Sequence, residues 1–140
     1  MSGYLFDTNV ISELRKGQRA DIHLRSWYAS VAEQNHFLSV LVVGEIRSGI
    51  ERLRRRDPQS AAALETWLQG LERSFSSNIL PVTRGIANRW GHFVAIRPIP
   101  TVDGLLAATA LEHDLVLVTR NIVDVEDCGA NLLNPFEGQA

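Results

Sequence analysis

Apolar residues along the chain fall into two alternating rhythms. Short runs of strand-forming residues span Tyr4 to Phe6, Phe37 to Val40, Asn78 to Val82, Leu115 to Val118 and Asn131 to Leu133. Between them lie longer stretches in which apolar positions recur every three or four residues. Val43, Ile46, Ile50 and Leu53 form one such face, Leu64, Trp67, Leu68, Leu71 and Phe75 a second, and Ile86, Trp90, Phe93 and Val94 a third. Aromatics at this spacing are read as helix-packing residues. Thr83 and Thr101 each close an extended segment ahead of a helical run and are predicted N-caps, and Pro98 and Pro100 mark the break between two helices. Strands alternating with helices predict an α/β domain with a short, mostly parallel sheet.

At 140 residues the chain is expected to form a single domain, spanning residues 1–140 and large enough to bury a core without disulfides. A hydrophobic fraction of 45% with 21% charged residues excludes the disordered and fibrous classes. No apolar run approaches the ~20 residues of a bilayer-spanning helix. The opening, Met1 to Asp7, has no basic stretch and meets an acid too early for a secretory leader, so a cytoplasmic protein is expected. Cys128 is the only cysteine, which excludes an intrachain disulfide and a multi-cysteine zinc site. A net charge of −2 argues against a strongly basic nucleic-acid module, though not against an enzyme that holds RNA locally.

Ligands of open parallel sheets bind at the carboxyl ends of the strands. Asp7 directly follows the first strand, and Glu45 lies early in the helix after the second. Asp103 sits in the first turn of the helix that leads into Leu115 to Val118, and Asn121 and Asp124 leave the end of that strand. Each has a plain structural reading: Asp7 as a helix N-cap, Glu45 as a solvated helix residue, Asp103 as a counter to the helix dipole, Asn121 and Asp124 as turn residues. Their joint placement is what points to chemistry, because converging carboxylates repel unless a cation sits among them. Mg²⁺ or Mn²⁺ suits such oxygen donors, and phosphodiester hydrolysis is the matching reaction. The pattern does not explain how the segment Arg97 to Pro100 returns the chain to this rim.

The segments Leu5-Phe6-Asp7-Thr8-Asn9, Ser39-Val40 leading to Glu45-Ile46, Thr101-Val102-Asp103-Gly104-Leu105-Leu106-Ala107-Ala108-Thr109-Ala110 and Val118-Thr119-Arg120-Asn121 resemble, in order, the motifs of PIN-domain toxins of the VapC and FitB type. The resemblance covers essentially the whole chain. It implies a three-layer α/β/α sandwich and a magnesium- or manganese-dependent endoribonuclease. It also implies a toxin role, a small co-encoded antitoxin and a homodimer. By position, Asp7, Glu45 and Asp103 match the family's acidic metal-binding residues. The fourth acidic position falls either to Asn121, which brings no charge, or to Asp124 three residues later.

Arg15, Lys16 and Arg19 form one basic patch and Arg52, Arg54, Arg55 and Arg56 another. Both are read as solvated helix ends or as phosphate contacts flanking an acidic site. Arg120, beside the carboxylate rim, is the better single candidate for a phosphate contact. A phosphotransferase of the haloacid dehalogenase or receiver type would need a second acid near Asp7 or a downstream lysine, and no lysine follows Lys16. The same shortage removes a P-loop enzyme. His23, His36, His92 and His113 have no partner motif and are read as surface or helix-end residues. The alternative from a different class is a catalytically inactive PIN module that only binds a protein or RNA partner.

Overall fold

A computed structural model describes residues 3–137. Met1, Ser2 and residues 138–140 lie outside it, so the reading of the chain's first residues and the far end of the expected domain fall partly beyond the described residues. Five strands, β1 (Tyr4–Phe6), β2 (His36–Ser39), β3 (Ile79–Leu80), β4 (Val116–Val118) and β5 (Asn131–Leu133), form one sheet in the order β3-β2-β1-β4-β5. Every neighbouring pair is parallel. Parallel strands are covered on both faces, which is why they read as short unbroken apolar runs. Leu5, Phe6, Leu38 and Val118 are fully buried.

The helices are α1 (Thr8–Leu14), α2 (Ile22–Ser30), α3 (Val40–Arg54), α4 (Pro58–Phe75), α5 (Arg84–Ile96), α6 (Thr101–His113) and α7 (Ile122–Val125). The chain steps from β1 to β2 to β3 in one direction and reaches β4 and β5 on the other side of β1. Right-handed crossovers therefore set α1 to α4 on one face and α5 to α7 on the other, giving the α/β/α sandwich. The three apolar faces fall where their spacing predicts: Ile46, Ile50, Leu68 and Ile86 are buried, and Val43, Leu53, Leu64, Trp67, Leu71, Phe75, Phe93 and Val94 pack around the core. Helix α6 is buried all round, from Leu106 to Ala110, between the sheet and α5.

Several expected boundaries move, each for a local reason. Val40 opens α3 instead of closing β2, because Ser39 Oγ accepts from the Leu41 amide at 3.0 Å as an N-cap. The run from Asn78 to Val82 keeps only Ile79 and Leu80 as strand, since Pro81 has no amide proton to donate. The Leu115 amide bonds Ala110 O at 2.8 Å, ending α6 around the left-handed Asp114, so β4 starts one residue later. Thr83 is the N-cap of α5, with Oγ1 accepting from the Ile86 amide at 3.3 Å. Thr101 is not a cap: Pro100 takes that position and Thr101 becomes the first helical residue. His36 is not a surface residue either. It packs edge-on to Phe6, and its Nε2 lies 2.9 Å from Val31 O.

The return to the carboxyl edge is made by α5 itself. Arg89, in its first half, meets Glu112 near the end of α6 at 3.1 Å, so the two helices are antiparallel and residues 97–100 need only turn. Gly104 lets them approach closely, for a Cβ there would stand 3.1 Å from Trp90 Cδ1. On the opposite layer, Arg47 and Arg54 of α3 pair with Glu65 of α4, holding its carboxyl at about 2. Among the described residues no helix is long and apolar enough to cross a membrane.

Candidate active site

The centre of the sheet places Asp7. It follows β1, its amide donates to Val118 O at 2.9 Å, and it therefore sits between β1 and β4, where the strand order reverses. Its two oxygens have different duties. Oδ1 accepts from the Thr8 amide at 2.7 Å, capping α1, while Oδ2 accepts from Thr119 Oγ1 at 2.7 Å and from Asn9 Nδ2 at 3.4 Å. Asp7 is only 5% exposed. Burial raises its carboxyl above the ordinary value, and the bonds from Thr119 and Thr8 oppose that rise. The capping reading of Asp7 therefore holds through Oδ1, while Oδ2 is held by Thr119 and Asn9.

Glu45 reaches the same rim from the first turns of α3. It is exposed, and the Thr8 hydroxyl donates to its Oε1 in a short bond. Asp103 comes from the first turn of α6 and is partly buried. Its carboxyl is pushed up to about 6, first by burial, then by the charge of Asp7, by the charge and hydrogen bond of Asp124, and by Glu45. Three of the acids named from the sequence, Asp7, Asp124 and Glu45, therefore stand within electrostatic reach of the fourth, Asp103. The charged neighbours that push Asp103 up, Asp7, Asp124 and Glu45, are all acids.

Asn121 and Asp124 separate in role. Asp124, in α7, is within hydrogen-bond reach of Asp103. Asn121 stands at the N-cap position of α7 without a side-chain cap bond, and its amide donates to Thr119 Oγ1 at 3.0 Å. It lines a narrow cleft with Asp7, Asp103 and Thr119. Among the described residues no three His, Cys, Asp or Glu side chains form a ready cage for a metal ion. The oxygen donors nevertheless suit a hard cation. Mg²⁺ keeps several waters and needs as few as one or two direct carboxylates, so a loose set of acids fits it.

Three supporting residues carried no assigned role in the sequence: Thr8 and Thr119, whose hydroxyls hold Glu45 and Asp7, and Asn9, which bridges Asp7 and the Arg120 amide. Thr8 and Asn9 had a positional signal, following Asp7 directly past the end of β1, whereas Thr119 had none beyond following a strand end. Arg97 had no such signal. It donates to both oxygens of Asp127 and to Asp124 O, fastening the α5–α6 turn to α7.

The model of the PIN domain matches residues 4–123. A VapC ribonuclease, Y4jK of Sinorhizobium fredii, is 28% identical over 95% of this chain and 97% of its own length. Toxin FitB of Neisseria gonorrhoeae is 28% identical over 94% of this chain and 97% of its own. The crystal structure of FitAcB from Neisseria gonorrhoeae superposes with a TM-score of 0.84 at 27% identity, covering 96% of this chain and 99% of that one. With the parallel sheet, the reversed strand order and the acids gathered at its carboxyl edge, these matches make the chain a member of the PIN-domain family.

Proposed function

We infer that this protein is a metal-dependent endoribonuclease that hydrolyses RNA phosphodiester bonds and acts as the toxin of a toxin–antitoxin pair. One observation carries the reading: Asp7, Asp124 and Glu45 all act on the partly buried Asp103, and burial together with their charges pushes its carboxyl up to about 6. A cluster of this kind wants a divalent cation, and Mg²⁺ or Mn²⁺ fits its oxygen donors. Asp7, Glu45 and Asp103 would hold it, with Asp124 or Asn121 completing the set. When bound, such a cation acidifies a water and offsets the charge that gathers on the phosphate oxygens. The chain's own part is to hold the donors still. Thr119 and Thr8 fix Asp7 and Glu45, while the buried Leu106, Leu117 and Val125 floor the cleft.

The names of its relatives, a VapC ribonuclease and toxin FitB, support RNA as the substrate and a toxin role, and a co-encoded antitoxin is the partner that this reading assigns. A homodimer acting in the cytoplasm belongs to the same reading. Purified protein freed of any partner is expected to cut RNA with Mg²⁺ or Mn²⁺ and to stop in EDTA, leaving 5′-phosphate and 3′-hydroxyl ends. Equal cutting in EDTA, or 2′,3′-cyclic phosphate ends, would refute the mechanism. Intact RNA under every metal condition would favour the inactive binding module instead.

A further inference from the structure

Arg120 stands one residue past Thr119, at the acidic rim, yet it is not used like the arginines elsewhere. Arg47, Arg54, Arg89 and Arg97 each meet a carboxylate. The exposed Arg120 guanidinium instead lies over the Phe136 ring, 3.7 Å from its centroid, and among the described residues it has no ion-pair partner. Glu13 feels its charge only as the weakest of several influences, behind Lys16 and the Asp21 amide.

Both members of this stack are held from behind. The Arg120 amide donates to Asn9 Oδ1 at 3.3 Å, and Asn9 also reaches Asp7, which ties Arg120 to the central acid. On the other side, the Phe136 amide donates to Asn134 Oδ1 at 3.0 Å, next to the buried Pro135. A guanidinium that stacks on a ring gives up one face and keeps the donors along its edge, the fork that matches a phosphate. Beside four acids, an exposed arginine that pairs with none of them keeps a charge that no ion pair among the described residues offsets. The anion of matching shape next to a phosphodiester-cleaving site is the neighbouring phosphate of the same strand.

We propose that Arg120, stacked on Phe136, contacts a backbone phosphate of the RNA flanking the cleaved bond, with Phe136 as the positioning residue. This rests on the ribonuclease reading above. The contact positions the strand without reading its sequence, so its loss should weaken all RNAs alike.

The test is fluorescence anisotropy of a labelled mixed-sequence RNA oligonucleotide with Mg²⁺, in the Asp103→Asn background to prevent turnover. Arg120→Gln should weaken binding by roughly tenfold, as the loss of a charge-assisted hydrogen bond does. It should also lower the slope of log Kd against log salt by about 0.7, the value of one single-strand phosphate contact. Phe136→Leu should weaken binding in the same direction, and Phe136→Tyr, which keeps the ring, should restore it. Thermal melts accompany each variant. Should Phe136→Leu fail to fold, the exposed Arg120→Gln and the ring-keeping Phe136→Tyr still decide the matter. Wild-type affinity and slope in Arg120→Gln overturn the proposal while leaving the ribonuclease reading intact. A normal Phe136→Leu beside a weakened Arg120→Gln overturns the positioning role. An Arg120→Gln that binds RNA normally but loses a co-purifying partner protein overturns it in favour of a protein contact. If the parent chain neither binds nor cuts RNA with metal, the ribonuclease reading has failed and this contact falls with it.

Discussion

The Thr119 hydroxyl donates to Asp7 Oδ2 at 2.7 Å, joining the ends of β1 and β4 across 112 residues of chain. Thr119 Oγ1 in turn accepts from the Asn121 amide at 3.0 Å, so one buried threonine orients the central acid and the loop that leaves β4.

Thr119→Val keeps the shape and removes both bonds. Asp7 Oδ2 is then left with Asn9 alone, at 3.4 Å, and the Asp7 carboxyl loses the strongest influence that lowers it. Cleavage is expected to fall by about 10- to 100-fold, the range for a hydrogen bond to a charged group. The acid limb of the pH profile should move to higher pH, and Thr119→Ser should recover both. A Thr119→Val protein with the wild-type rate and the wild-type acid limb would show that Asp7 needs no such support.

The raised carboxyl of Asp103 makes the metal-free protein pH-sensitive in a definite direction. Its value rises from 3.8 to about 6 on folding, so between those limits the folded chain holds more proton than the unfolded one. Stability therefore falls as pH rises through that window, by at most about 2 kcal/mol once partial exposure is allowed for. Asp7 works in the same direction. Glu13, Glu51, Asp57, Glu65 and Asp127 are lowered on folding and act oppositely, but their contribution is nearly complete about one pH unit above their unfolded values of 3.8 to 4.5. Melts in EDTA should thus fall from about pH 5.5 to about pH 6.5, and Asp103→Asn should lose most of that fall. Near neutral pH the variant should melt at or above the wild type without metal, should not cleave RNA, and should gain less from Mg²⁺ or Mn²⁺. A variant that melts several degrees lower in EDTA would make Asp103 a structural residue of the α6 first turn.

The acids were legible because their chemistry coincides with landmarks that sequence alone displays. Asp7 ends an apolar run, and Glu45 and Asp103 open helical runs, so a parallel sheet was enough to bring them to one edge. Strand limits were less legible, since they turn on single bonds: the Ser39 cap moved Val40 into a helix, and the left-handed Asp114 delayed β4. The direction of α5 was hidden for another reason. A helix has the same period whichever way it runs, and only the pairing of Arg89 with Glu112 fixes it. Thr119 looked like an ordinary strand end because its partner lies at the other end of the chain. Arg97 gave no sign at all that it would hold a carbonyl of α7.

That last contact bears on which residue completes the site. Arg97 donates to Asp124 O at 2.9 Å and grips Asp127, so the backbone that carries Asp124 is anchored from the α5–α6 turn, beside the start of the helix that bears Asp103. Asp124 brings a charge and reaches Asp103. Asn121 brings only a dipole, and its anchored atom is the amide held by Thr119. Asp124→Asn is therefore expected to lower cleavage by about a hundredfold and Asn121→Ala by no more than about tenfold, the upper and lower range for residues that support a metal site. Removing the Asp124 charge also removes one of the repulsions on Asp103, so Asp124→Asn should melt at or above the wild type in EDTA near neutral pH, while Asn121→Ala should not gain. Cleavage rates and EDTA melts of the two variants decide between them. The reverse order of activities assigns the fourth position to Asn121, and indifference to both leaves a site of three carboxylates.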